Sequence, residues 1–155
     1  QDGLNVSNII SSEPESSKLL VPRSLQAARE VRRDSALRRA RTCYRHLAGI
    51  AGVTLLDEMV NRGWFNTEQG EKTLYRLTDA GECSLLSLGV DVPGAASQRR
   101  PFAYGCLDWT ERRYHLRGSL ADAILTAMAN FGAVSWITGT RAVSLKGPVS
   151  DWFER

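Results

Sequence analysis

From Leu25 onward the apolar residues recur at helical spacing. Leu25, Ala28, Ala36, Ala40, Cys43 and Leu47 fall on one face, and Leu37 and Tyr44 extend it. Ser24 is a suitable N-cap, and no Gly or Pro interrupts before Gly49. The pattern therefore predicts one long helix over about 25–47. Its opposite face carries Arg29, Arg32, Arg33, Arg38, Arg39, Arg41 and Arg45. A second helix is expected from Thr54 to Asn61, with Leu55, Leu56, Met59 and Val60 as its apolar side and Gly63 as its stop. Trp64 and Phe65 open an extended piece, and Thr73 to Leu77 alternates as a strand does. Thr78 to Glu82 starts a third helix that takes in Cys83, Leu85, Leu86 and Leu88, with Cys83 placed in the core. Val90 to Gln98 reads as a connector.

The second half repeats the first at an offset of 69 residues. His46-Leu47-Ala48-Gly49 falls on His115-Leu116-Arg117-Gly118. Met59 meets Met128, Asn61 meets Asn130 and Gly63 meets Gly132. A strand follows in each copy, Leu74–Leu77 and Ala142–Leu145. The order of helix, glycine stop, strand and second strand is that of a winged helix. The expected fold is α+β and mostly helical: two winged-helix-like repeats preceded by a long helix. The boundaries are 1–24 for a linker and the end of a preceding helix, 25–92 for the long helix and first repeat, and 93–155 for the second repeat. In a DNA-reading winged helix the second helix faces the major groove with basic residues. Here that helix offers Asp57 and Glu58, and its counterpart has Asp122 and no Lys or Arg between Ser119 and Asn130. Neither unit is expected to read DNA.

Composition narrows the class. The 155 residues are 43% hydrophobic and 24% charged, which fits a packed domain and not a disordered chain. A net charge of +3 permits an anionic partner without requiring one. No apolar run approaches the ~18 residues of a membrane span. Three cysteines, an odd and small number, argue against a disulfide framework and point to a reducing cytoplasm. The chain starts at Gln1 and its methionines are Met59 and Met128, so either a tag and initiator were trimmed or it is a fragment of a longer protein.

Ala40-Arg41-Thr42-Cys43-Tyr44-Arg45-His46-Leu47-Ala48-Gly49 and Cys106-Leu107-Asp108-Trp109-Thr110-Glu111-Arg112-Arg113 resemble the C-terminal half of long ArsR-type (ArsR/SmtB-like) transcriptional regulators. Leu77-Thr78-Asp79-Ala80-Gly81 and Arg141-Ala142-Val143-Ser144-Leu145 share the resemblance, which covers about residues 25–153. It implies a repressor that binds operator DNA as a homodimer through an N-terminal winged helix absent from this chain. The present residues would then sense an effector or pair the subunits, with no membrane partner.

Against that background the chemical candidates are few. Cys43 and His46, three apart on the expected helix, can face one point and share a soft metal or form a thiolate–imidazole pair. Cys106, Asp108 and His115 complete a site if the repeats pack face to face. Structural, thiol-sensing and metal readings stay open, and no metal or other cofactor is assigned from sequence. Trp109, among Asp108, Glu111, Arg112 and Arg113, suggests either a small-ligand pocket or an amphipathic helix anchored by Leu107 and Trp109. Arg32, Arg33, Arg38 and Arg39 are the candidate phosphate contacts, set against a solvated or dimer-forming face. No G-x-S-x-G, H-E-x-x-H or Gly-rich phosphate loop is present, so the chain is not expected to be an enzyme. Two alternatives remain beside the regulator: a stand-alone double winged-helix DNA-binding protein and a small cysteine-dependent enzyme using Cys43 and His46.

Overall fold

The computed structural model describes residues 36–43 and 45–154. The linker expected over 1–24, the first part of the long helix, and Arg32 and Arg33 lie outside the described residues.

Helices and antiparallel sheets alternate, so the fold class is α+β. The elements in order are α1 (Ala36–Arg39), β1 (Arg41–Cys43), β2 (His46–Ala48), α2 (Gly49–Asn61), β3 (Phe65–Glu68), β4 (Leu74–Leu77), α3 (Asp79–Ser87) and α4 (Val92–Ala96). Then come β5 (Tyr104–Leu107), β6 (Tyr114–Arg117), α5 (Ser119–Asn130), β7 (Val134–Trp136), β8 (Val143–Leu145) and α6 (Val149–Trp152).

The long helix over 25–47 is corrected by this order. Its described part is helical over Ala36–Arg39 only, and then gives way to the β1–β2 hairpin. Cys43 and His46 are therefore not helical neighbours at i and i+3; they face each other across two antiparallel strands. Cys106 to Arg113 is likewise no helix: it is the end of β5 and the loop to β6, with Leu107 exposed. Cys83 is exposed on α3 and is not a core residue. The helix expected from Thr54 begins at Gly49, because Gly52 lets the helix lie close to the Leu47 carbonyl and the His115 side chain.

The same order of hairpin, long helix, strand, strand and short helix occurs twice. Met59 and Met128 are both fully buried at equivalent turns. After each, a glycine with positive φ ends the helix, Gly63 at 77° and Gly132 at 82°. In both copies the residue after that glycine donates its N–H to the methionine carbonyl, Trp64 to Met59 at 3.0 Å and Ala133 to Met128 at 2.8 Å.

Each hairpin is completed by the other copy. Gly105 donates to the Thr73 carbonyl at 2.8 Å and Tyr75 to the Ala103 carbonyl at 3.2 Å, so β5 joins β4 in a four-stranded sheet ordered β3-β4-β5-β6. In the other direction Thr42 donates to Arg141 at 2.9 Å and Val143 to Ala40 at 3.1 Å, laying β1 beside β8. The exchange is reciprocal and gives the chain an internal pseudo-two-fold arrangement. The apolar core runs through both copies, from Leu47, Leu56 and Met59 to Leu120, Ile124, Met128 and Trp152. Among the described residues no helix is long and apolar enough to cross a membrane.

Gly49 and Gly118 stand where each hairpin enters its helix, with φ of 77° and 117°. A Cβ at Gly49 would lie 2.5 Å from the Arg38 carbonyl oxygen, whereas Gly63, at the same φ, has open space around it. Gly63→Ala is expected to cost only the left-handed backbone penalty, about 1–2 kcal/mol. Gly49→Ala adds a backbone collision to that penalty and should lower the urea midpoint clearly further. Equal midpoints for the two variants would contradict the close approach of α1 to α2.

Candidate functional site: a Cys-His cluster on the pseudo-two-fold axis

The strand registers place one cysteine opposite one histidine in each hairpin: Cys43 opposite His46, and Cys106 opposite His115. Adjacent side chains on one face of paired strands converge. Because β2 and β6 lie beside each other at the centre of the molecule, the two pairs meet. The Sγ and imidazole nitrogen atoms of all four residues lie within 4.8 Å of one another. The two Nε2 atoms are 3.1 Å apart, with ring centroids at 5.0 Å. Both histidines are buried and both cysteines are half-buried.

Asp108 anchors this cluster without entering it. The residue is fully buried and both carboxylate oxygens are occupied. Oδ2 accepts from His115 Nδ1 at 2.9 Å and from the Gly49 N–H at 2.6 Å. Oδ1 accepts from Arg41 Nη2 at 3.0 Å, from the Thr110 N–H at 3.0 Å and from the Thr110 hydroxyl at 2.7 Å. The Gly49 contact puts a carboxylate from the second copy on the first N–H of α2, a helix whose N-cap residue Ala48 supplies no side-chain cap. Burial by itself raises the Asp108 pKa. The His115 hydrogen bond, the Arg41 charge, the Thr110 hydroxyl and the Gly49 N–H outweigh it and hold the carboxyl well below its usual range.

Arg41 is the residue that sequence reasoning misplaced. Read as part of a solvated arginine face, it is 1% exposed and forms a buried ion pair with Asp108. Its Nη1 donates to the Leu37 carbonyl and to Thr110 Oγ1, both at 3.2 Å, and its guanidinium lies 4.7 Å from the centre of the Trp109 ring. Trp109 thus stacks on an internal cation. Of the phosphate candidates, Arg38 is partly buried and bonded to Glu111 at 3.0 Å, and Arg39 is exposed on α1.

Charge inside the cluster is distributed unequally. Burial disfavours the His115 cation, but the hydrogen bonds to Asp108 and Cys43 outweigh it and raise the histidine pKa. Cys43 is held far below the ordinary thiol range, first by a hydrogen bond with Cys106 and then by those with His115 and His46. Cys106, donating to that sulfur and desolvated, is pushed up. A cleft of about 300 Å³ lined by Arg45, Arg100, Tyr104, Arg117 and Asp122 reaches His46, giving the cluster a cationic approach from solvent.

Of the six candidates named from sequence, Cys43, His46, Cys106 and His115 form the cluster, Asp108 supports it, and Trp109 packs on Arg41. This arrangement can take up a soft cation or exchange electrons at sulfur.

No family model matches the chain, and no solved structure does. It is similar to a Bacillus subtilis (strain 168) protein described as the uncharacterized HTH-type transcriptional regulator YdfF, with 31% identity over 131 residues. The similarity takes in 84% of this chain and 57% of that protein, so the chain spans little more than half the length of this relative.

Proposed function

We propose that this chain is the effector-sensing and dimerisation region of a cytoplasmic helix-turn-helix transcriptional repressor of the ArsR type. The whole protein acts as a homodimer and holds operator DNA through a domain outside these residues. Each of the two copies is a winged-helix-like unit that has become a sensing element. One observation carries the reading: four side chains able to bind or be oxidised, two from each copy, converge at the junction of the copies. A change of state there acts on both hairpins: β5–β6 is built into the sheet of the first copy, and β1–β2 is bonded to the second copy through an isolated bridge between Arg41 and Ala142. The similarity to an HTH-type transcriptional regulator supports the assignment to regulation.

The mechanism follows from linkage. An effector that favours one packing of the two copies shifts the protein towards it only by its differential affinity. Carrying a regulator from about 1% to about 99% in the DNA-free form requires roughly 10⁴-fold tighter binding to that form.

The test uses the full-length regulator and DNA that it selects from a random pool. Loading or oxidising the cluster should weaken DNA binding in the wild type. Cys43→Ser should hold the same DNA yet lose the response. An unchanged response in Cys43→Ser, or salt-dependent DNA binding by residues 1–155 alone, would overturn the assignment.

A further inference from the structure

We propose that Cys43, His46, Cys106 and His115 bind a single zinc-class divalent ion as a closed tetrahedral Cys2His2 centre that clamps the two copies together. The proposal deepens the reading of this cluster as the effector site, and its regulatory consequence rests on that reading. The metal site itself stands on geometry.

The dimensions fit. Zinc lies about 2.3 Å from thiolate sulfur and about 2.0–2.1 Å from imidazole nitrogen, so the edges of such a tetrahedron run from about 3.3 to about 3.8 Å. All four donor atoms lie within 4.8 Å of one another, and the Nε2 atoms of His46 and His115 are 3.1 Å apart. A small contraction around an ion closes the polyhedron without moving a strand.

The surroundings are those of a metal histidine. His115 turns Nε2 to the cluster while its Nδ1 is held 2.9 Å from Asp108 Oδ2. A carboxylate behind a histidine fixes the ring orientation and the proton on the outer nitrogen, the arrangement that supports zinc ligands. Asp108 is in turn locked by Arg41, Thr110 and Gly49, so it cannot swing in as a fifth ligand. Two sulfurs and two imidazoles favour zinc-class ions over magnesium or calcium, which take oxygen. Four protein donors leave no open position, which separates this centre from a hydrolytic zinc site. A disulfide between Cys43 and Cys106 would use the sulfurs and leave the two imidazoles and their carboxylate support without a role.

The clamp is cross-copy by construction. Cys43 and His46 come from the hairpin before α2, and Cys106 and His115 from the hairpin before α5. Removing either pair leaves two ligands on one hairpin, too few for a closed site.

The experiment titrates the reduced, metal-free 155-residue chain with Co²⁺ and then Zn²⁺. One Co²⁺ per chain is expected, with the visible bands of tetrahedral cobalt and a near-ultraviolet sulfur-to-cobalt charge-transfer band, all abolished by one equivalent of Zn²⁺. Cys43→Ser and Cys106→Ser should each lose the tetrahedral bands, while Cys83→Ser keeps them. Far-UV circular dichroism of the serine variants checks that they are folded. Asp108→Asn, if folded, should keep the bands with affinity weakened about 10–100-fold. Absence of cobalt binding, an octahedral spectrum, or binding unchanged in the folded serine variants would overturn the metal site. Loss of two thiols on mild oxidation of a chain that binds no cobalt would also overturn it, and would leave the effector reading standing through sulfur chemistry. Stoichiometric metal binding with no change in DNA affinity of the full-length regulator would instead sink the effector reading and keep the metal site.

Discussion

Arg41→Met should lower the unfolding free energy by about 3–5 kcal/mol, the cost of stranding one partner of a buried ion pair. The arginine is 1% exposed, Asp108 is fully buried, and methionine roughly conserves the volume while removing the charge and donors. The variant also gives up the hydrogen bonds to Leu37 and Thr110 and the stacking on Trp109. Arg38→Met provides the contrast. Its partner Glu111 is on the same loop, but the arginine side chain is 32% exposed, so the loss should stay within about 1 kcal/mol. Urea unfolding measures both as midpoint shifts at constant slope. The double variant Arg41→Met, Asp108→Leu removes both charges, and it should recover part of the loss if the single-variant cost is that of an unpaired buried carboxylate. A loss below about 1 kcal/mol for Arg41→Met would mean that the Asp108 carboxylate is not anchored by this pair.

The internal repeat was legible because the residues that define it sit in the cores of α2 and α5 and at the glycine stops after them. Burial and positive φ constrain Met59, Gly63, Met128 and Gly132 alike in both copies. The hairpins were not legible. Between Ala36 and Leu47 the spacing satisfies a helix, no glycine or proline interrupts, and β1 and β2 are only three residues each. Such short strands gain their stability from partners far along the chain, here Arg141 to Val143, and local pattern carries no trace of that. The long α1–β2 helix was therefore a reasonable reading of local spacing that tertiary pairing overrode.

The site was legible in membership and hidden in arrangement. His115 follows His46 by 69 positions, but Cys106 follows Cys43 by only 63, because the loop between β5 and β6 is longer than the turn between β1 and β2. Aligned at the repeat offset, Cys43 falls on Arg112, and the equivalence of the two cysteines disappears. The strand registers restore it, since each cysteine pairs with the histidine of its own hairpin. Asp108 was named among the candidates, yet nothing in its neighbours announces that it spans from the His115 ring to the first N–H of α2. A comparison that allowed a gap in the hairpin loop would have aligned both Cys-His pairs.

Trp152→Ala is expected to cost about 3–5 kcal/mol and to destabilise both copies in one step. The indole is 1% exposed and belongs to the apolar cluster that joins Leu55, Met59 and Trp64 of the first copy to Ile124 and Met128 of the second. Truncating so large a buried ring removes its transfer energy and leaves a cavity that the close-packed surroundings fill only in part. Trp152 sits on α6, the last short helix of the second copy, and α6 packs against α2 of the first. With backbone hydrogen bonds between the copies at both hairpins and a shared core, the copies are expected to unfold together. Tryptophan fluorescence and far-UV circular dichroism should therefore give coincident urea transitions in the wild type, and both should move together in the variant. Trp152→Phe separates packing from polarity. Among the described residues the buried indole Nε1 has no hydrogen-bond partner, so phenylalanine removes an unsatisfied donor while keeping an aromatic ring, and its loss should be far smaller than that of alanine. Two separated transitions, with only one shifted by Trp152→Ala, would show that the copies fold as independent units and that no clamp at their junction is needed to hold them together.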